Sequence, residues 1–119
     1  MKRRYETHFD AAHFIPDHPK CGKIHGHTYK VVVDVDTDDF LDFHDLKEIV
    51  EDIVEPLDHN FISAAALPDK LKKQLLDYCK PLPKPLHTSE DICEYIKSQL
   101  PWSKVEVTVY EGESFSVSC

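Results

Sequence analysis

Two stretches of strict alternation, separated by a single loop, constrain this chain more than any other feature. Between Arg4 and His13, the residues Tyr5, Thr7, Phe9, Ala11 and His13 fall on one side, with Arg4, Glu6, His8, Asp10 and Ala12 on the other. A period of two is the mark of a half-buried strand. From His25 to Asp36 the pattern repeats: His25, His27, Tyr29, Val31, Val33 and Val35 share a face opposite Thr28, Lys30, Asp34 and Asp36. The intervening Phe14–Ile24 carries Pro16, Asp17, Pro19 and Gly22 and reads as a loop. Consecutive strands joined in this way pair most simply antiparallel. His13 is then expected beside His25 and His27, at the loop end of the hairpin and on one face if the register matches.

The remaining pattern supplies helices and two further strands. Thr37–Asp42 is acidic and turn-like, with Asp42 placed to cap a helix from His44 to Leu57. Leu46, Ile49, Val50, Ile53, Val54 and Leu57 form its apolar stripe, and Glu48, Glu51, Asp52 and Glu55 form a solvated face. Leu67, Leu71, Leu75, Leu76 and Tyr78 suggest a short helix between Pro68 and Lys80, and Pro81–Pro85 an extended linker. A second amphipathic helix is expected from Thr88 to Leu100, with Thr88 and Asp91 as a capping pair and Pro101 as its stop. Lys104–Tyr110 and Ser114–Cys119 then read as strands around a Glu111-Gly112-Glu113 turn. The order β-β-α-α-β-β predicts an α+β fold: an antiparallel sheet of four strands with two helices on one face. At 119 residues, one domain spanning 1–119 is expected.

Charge narrows the classes of partner. A formal net charge of −8 argues against a general affinity for nucleic acid or an anionic membrane surface. No apolar run is long enough to cross a bilayer. The start, MKRRYETHFD, is basic but lacks the apolar core of a secretory signal, so a cytoplasmic protein is expected. Cys21, Cys79, Cys93 and Cys119 then read as reduced thiols.

His13, Cys21, His25 and His27 fall within fifteen positions. Two histidines at i and i+2 on a strand project to one side, and a third from the neighbouring strand gives three imidazole ligands with the fourth position open. That is the catalytic arrangement for zinc. Cys21 is a candidate fourth ligand, a nucleophile or base, or an inert small residue. Lys20 and Lys23 flank it, and nearby cations favour the thiolate needed for proton transfer. Asp58-His59 follows the first helix; a carboxylate beside an imidazole can fix its tautomer, though sequence neighbours need not touch. Glu111, at a strand end, carries no signal by itself.

Taken together, these pieces resemble the 6-pyruvoyl-tetrahydropterin synthase / 6-carboxytetrahydropterin synthase family. The resemblance rests on Phe9-x-Ala-Ala-His13, Cys21-Gly-Lys-Ile-His25-Gly-His27-x-Tyr29, Asp42-Phe43-x-x-Leu46-Lys47, Leu57-Asp58-His59, Thr88-Ser89-Glu90 and Val109-Tyr110-Glu111, in that order. It implies a T-fold whose sheet closes into a barrel by oligomerisation, often a homohexamer built as a dimer of trimers. It also implies zinc on His13, His25 and His27, and Cys21 as proton-transferring base. Asp58 and His59 would be its partners, reaching across a subunit interface. Glu111 would anchor a pterin ring, with Thr88 and Ser89 lining the pocket. The implied substrate is 7,8-dihydroneopterin triphosphate, with Lys20, Lys23 and Lys30 as candidates for its phosphates. The three residues between Cys21 and His25 match the short spacing of the carboxytetrahydropterin branch, which would release acetaldehyde and triphosphate on the route to queuosine or archaeosine. The alternatives are 6-pyruvoyl-tetrahydropterin formation and a zinc- or pterin-binding module without turnover. Three departures stand out: residues 64–85 look like an insertion and linker, His87 replaces a usual proline, and Gly112 replaces a common threonine.

Overall fold

Strands β1 (Lys2–His13) and β2 (His25–Asp36) pair antiparallel along their whole length in the computed structural model, which describes residues 1–119. His13 stands opposite His25, Ala11 opposite His27 and Phe9 opposite Tyr29. Residues directly opposite in a ladder share a face, so the register delivers the three histidines to one side.

Helix α1 (Phe43–Val54) begins where Asp42 accepts from the His44 N–H at 2.7 Å. It buries Leu46, Val50 and Val54, and the stripe continues into a 3-10 turn over Glu55–Leu57 that buries Leu57. After a short strand β3 (Asn60–Phe61) and helix α2 (Asp69–Gln74) comes helix α3 (Ser89–Gln99). Thr88 and Asp91 form a reciprocal capping box at its start. The chain ends with β4 (Val105–Glu111) and β5 (Phe115–Ser118), joined by a three-residue turn in which Gly112 takes φ 71. Phe9, Tyr29, Val31, Val33, Val107 and Val109 from the sheet form one core with Leu46, Val50, Ile92 and Ile96 from α1 and α3. Each such side chain contributes about 1.5–3 kcal/mol on burial, before entropy is counted. The opposite sheet face is polar: Arg4 grips Asp34 through two hydrogen bonds of 2.8 and 3.2 Å, and Lys30 lies 3.6 Å from Glu6.

Two expectations need correction. The sheet has five strands in the order β3-β1-β2-β4-β5 and is mixed, because β3 pairs parallel to β1. Two residues carry no periodicity, so β3 leaves no trace in the sequence pattern. The helix expected across Pro68–Lys80 is only Asp69–Gln74 and buries none of its residues; Leu71, Leu76 and Tyr78 are exposed. What ties this segment down is Asn60. Its side chain donates to the carbonyls of Pro56 (3.1 Å) and Lys80 (2.8 Å) and accepts from the N–H of Lys80 (3.0 Å). The proline-rich strap that follows is neither helix nor strand, and it inserts Leu82 and Leu86 into the core.

Candidate metal centre

Three imidazoles converge at the loop end of the β1–β2 hairpin. His13, His25 and His27 each offer a ring nitrogen, all within 4.8 Å of one another. The backbone sets the tautomers of two of them. His13 Nδ1 lies 2.6 Å from the carbonyl of His87, and His25 Nδ1 lies 2.6 Å from that of Lys23. A carbonyl only accepts, so Nδ1 carries the proton in both rings and Nε2 keeps its lone pair. His13 is fully buried, and burial is the main cause that holds its pKa below the ordinary histidine value, which favours the neutral ligand form. The Nε2 atoms of His13 and His27 are buried without a hydrogen-bond partner. Unsatisfied buried polar atoms are costly, and a cation between these nitrogens would satisfy them. Three convergent imidazole nitrogens with a free fourth position fit zinc.

A carboxylate stands at the rim of this cluster. Glu111 Oε1 lies 2.8 Å from His27 Nε2, off the line of a hydrogen bond, and its Oε2 accepts from Ser89 Oγ at 3.2 Å. Glu111 pairs with Tyr29 across β2–β4, which carries it to the histidine end of the sheet. A pocket of about 300 Å³ opens beside it, lined by Ile15, Thr88, Ser89, Glu90, Glu111 and Phe115 among others. Tyr29 packs against the histidines themselves: fully buried, it stacks on Phe9 and meets the His13 and His27 rings edge-on, its centroid 5.9 and 5.7 Å from theirs. Burial, reinforced by the Glu111 charge, pushes its phenol pKa up, so it stays protonated.

Cys21 sits in the β1–β2 loop as a half-buried free thiol, and the cluster of ligand atoms does not include it. Asp58 and His59 do touch: His59 Nδ1 is 3.0 Å from Asp58 Oδ2. They group with Asp10 in a second, exposed cluster distinct from the three histidines. The Asp10 N–H, donating to Asp58 at 2.9 Å, is the first cause holding that carboxyl below the usual range, with His59 next. His59 adopts φ 54, a left-handed conformation uncommon for a side-chain-bearing residue. His59 lines an open groove of about 550 Å³ with Asp10, His27, Thr28 and Tyr78. Lys20 and Lys23 are exposed on the loop, whereas Lys30 lies on the polar sheet face beside Glu6 and over Tyr110.

The model of a family described as 6-pyruvoyl tetrahydropterin synthase matches residues 3–118. The chain belongs to that family. Among curated relatives of this synthase-family chain, a protein of Archaeoglobus fulgidus provisionally named 6-carboxy-5,6,7,8-tetrahydropterin synthase is 38% identical over 99 residues, covering 79% of this chain and 70% of the relative. A Haemophilus influenzae protein named 6-carboxy-5,6,7,8-tetrahydropterin synthase is 41% identical over 68 residues, 48% of each chain. In structure, the 6-pyruvoyl tetrahydropterin synthase of Plasmodium falciparum superposes with a TM-score of 0.74 at 22% identity, covering 100% of this chain and 96% of that one. The Plasmodium vivax enzyme of the same name gives 0.69 at 25% identity, covering 100% and 97%. The fold is therefore the T-fold of the 6-pyruvoyl tetrahydropterin synthase family, in its α+β form with a mixed sheet.

Several residues of this synthase-family site escape a reading by residue type. The carbonyls of His87 and Lys23 orient two of the candidate ligands, and a backbone oxygen leaves no mark on side-chain chemistry. Tyr29 shares the face of His25 and His27 in the alternation of β2, but its residue type alone marks no role beside them. Its place beneath the histidines follows from the register, because two positions along a strand return to the same face.

Proposed function

We propose that this chain is a zinc-dependent 6-carboxy-5,6,7,8-tetrahydropterin synthase that converts 7,8-dihydroneopterin triphosphate with release of acetaldehyde and triphosphate. The observation that carries this reading is the convergent triad of imidazoles, with Nδ1 of His13 and His25 committed to carbonyls and Nε2 of His13 buried without a partner. His13, His25 and His27 would hold the ion. Zinc there supplies Lewis-acid polarisation of the substrate's side-chain oxygens. Glu111 accepts hydrogen bonds from the amino-pyrimidine edge of the pterin, while Ser89 holds its second oxygen in place and Thr88 lines the same wall. Cys21 removes a proton from the substrate side chain, and His59, held by Asp58, returns one. Lys20 and Lys23 are free to meet the triphosphate; Lys30 is the weaker candidate because it is engaged on the polar face.

The separation of Asp58 and His59 from the histidine triad supports a site completed by a second subunit, and with it a homohexameric barrel. Open sheet edges at β3 and β5 are available for such pairing. No helix is long and apolar enough to cross a membrane. The reading includes a cytoplasmic setting and a role in 7-deazaguanine biosynthesis.

A second reading, 6-pyruvoyl-tetrahydropterin formation, is favoured by the description of the family model and the names of the Plasmodium structures. Mass spectrometry of the products from 7,8-dihydroneopterin triphosphate separates the two. The proposal expects 6-carboxytetrahydropterin with acetaldehyde; a pyruvoyl product supports the second reading, and unchanged substrate rejects both.

A further inference from the structure

The loop that carries Cys21 is closed around a single side chain. His18 Nδ1 accepts from the backbone N–H of Cys21 at 2.8 Å and from that of Lys20 at 3.2 Å. The backbone of the same residue closes the other side: its N–H donates to Ile15 O at 3.3 Å, and its carbonyl accepts from the Gly22 N–H at 2.9 Å. Ile15 N–H in turn donates to the Cys21 carbonyl at 2.7 Å. The Cys21 backbone is therefore held at both its N–H and its C=O, which leaves rotation about its side-chain bond as the main freedom of the thiol. Two donors converge on Nδ1, so that nitrogen presents its lone pair and the ring proton sits on Nε2. The turn is tight as well: Asp17 adopts φ 62, and a Cβ on Gly22 would lie 2.5 Å from the His18 carbonyl oxygen. His18 itself is exposed, so packing does not account for its place.

We propose that His18 is a positioning residue, whose ring nitrogen anchors the Cys21 and Lys20 amides and so aims the Cys21 thiol into the site. The inference rests on the reading of Cys21 as the proton-transferring base. His18 need not touch substrate. It acts through the peptide it holds, and a displacement of about 1 Å in a reacting group costs on the order of 100-fold in rate.

The test compares His18→Ala with His18→Asn in the full-length, zinc-loaded protein. Asparagine places Oδ1 where histidine has Nδ1, so it keeps an acceptor for the two amides and discards the ring. For each variant, kcat and KM with 7,8-dihydroneopterin triphosphate are measured, together with zinc content. The rate of Cys21 alkylation by iodoacetamide is read on its own peptide. His18→Ala is expected to lose kcat by about 10- to 100-fold, with little change in KM and zinc retained, and His18→Asn to restore most of it. Unchanged kcat in His18→Ala, an Asn variant as impaired as Ala, or loss of zinc from the Ala variant overturns the proposal. If the wild-type protein turns over no pterin, the base assignment falls and the alkylation rate decides: a change in Ala that Asn reverses sustains the positioning role, and equal rates in all three proteins refute it.

Discussion

Asp91 links a helix cap to the candidate zinc site, and replacing it with alanine should weaken both. Its Oδ2 accepts from the N–H of His87 at 2.9 Å and from that of Thr88 at 3.2 Å. Its own N–H donates to Thr88 Oγ1 at 3.2 Å. The His87 peptide held in this way carries the carbonyl that receives the His13 Nδ1 proton. Loss of a capping side chain costs about 1 kcal/mol. Here a charged acceptor serves two half-buried donors, which raises the expected loss to about 2 kcal/mol. For a domain of this size that is a fall of roughly 8 °C in Tm. Because the His87 carbonyl then loses its tether, zinc affinity should drop by about tenfold, the low end for partners behind a metal ligand. Urea unfolding of the metal-free protein measures the first effect, and zinc titration against a chromophoric chelator the second. Asp91→Asn keeps an acceptor and should lose much less of each. Reduced stability with unchanged zinc affinity would refute the coupling between cap and metal site; unchanged stability would refute the cap.

Two other outcomes follow from local geometry. Asp58 titrates below its unfolded value of about 3.9, so its contribution to stability is complete above that pH and disappears as pH falls through the folded value. Stability measured by denaturant between about pH 5 and pH 2 should therefore decline less steeply in Asp58→Asn than in the parent; parallel curves would show that the Asp10 N–H and His59 do not hold this carboxylate. Gly22→Ala sets a Cβ against the His18 carbonyl, and the backbone has to move to admit it. We expect a loss of about 1–3 kcal/mol and a changed alkylation rate at Cys21, and an unperturbed Gly22→Ala protein would contradict the loop geometry.

Much of this fold is legible in the sequence because its main elements each carry a strong period. The alternation in Arg4–His13 and His25–Asp36 predicts β1 and β2, and burial of one face leaves little choice of register. Asp42 and the Thr88–Asp91 pair mark the helix starts through capping chemistry that residue type alone reveals. The segment between β3 and α3 is different. Leu67, Leu71, Leu75 and Leu76 suggest a helix by spacing, yet a helix of six residues with no buried face forms there. Its order comes instead from Asn60, whose amide reaches Lys80 across 20 positions. Such contacts join distant backbone groups and have no period to detect. The candidate site divides in the same way. His13, His25, His27, Ser89 and Glu111 are brought together by strand register and by the start of α3, whereas Asp58 and His59 form a second cluster with Asp10.

The division of labour between three histidines and one cysteine is the centre of this account, and metal content tests it most directly. Zinc per chain should be measured by mass spectrometry or atomic emission on the parent protein, on His13→Ala, His25→Ala and His27→Ala, and on Cys21→Ala. The account predicts stoichiometric zinc in the parent and in Cys21→Ala, and its loss from each histidine variant. Zinc that stays after removal of a histidine, or leaves with Cys21, would contradict it.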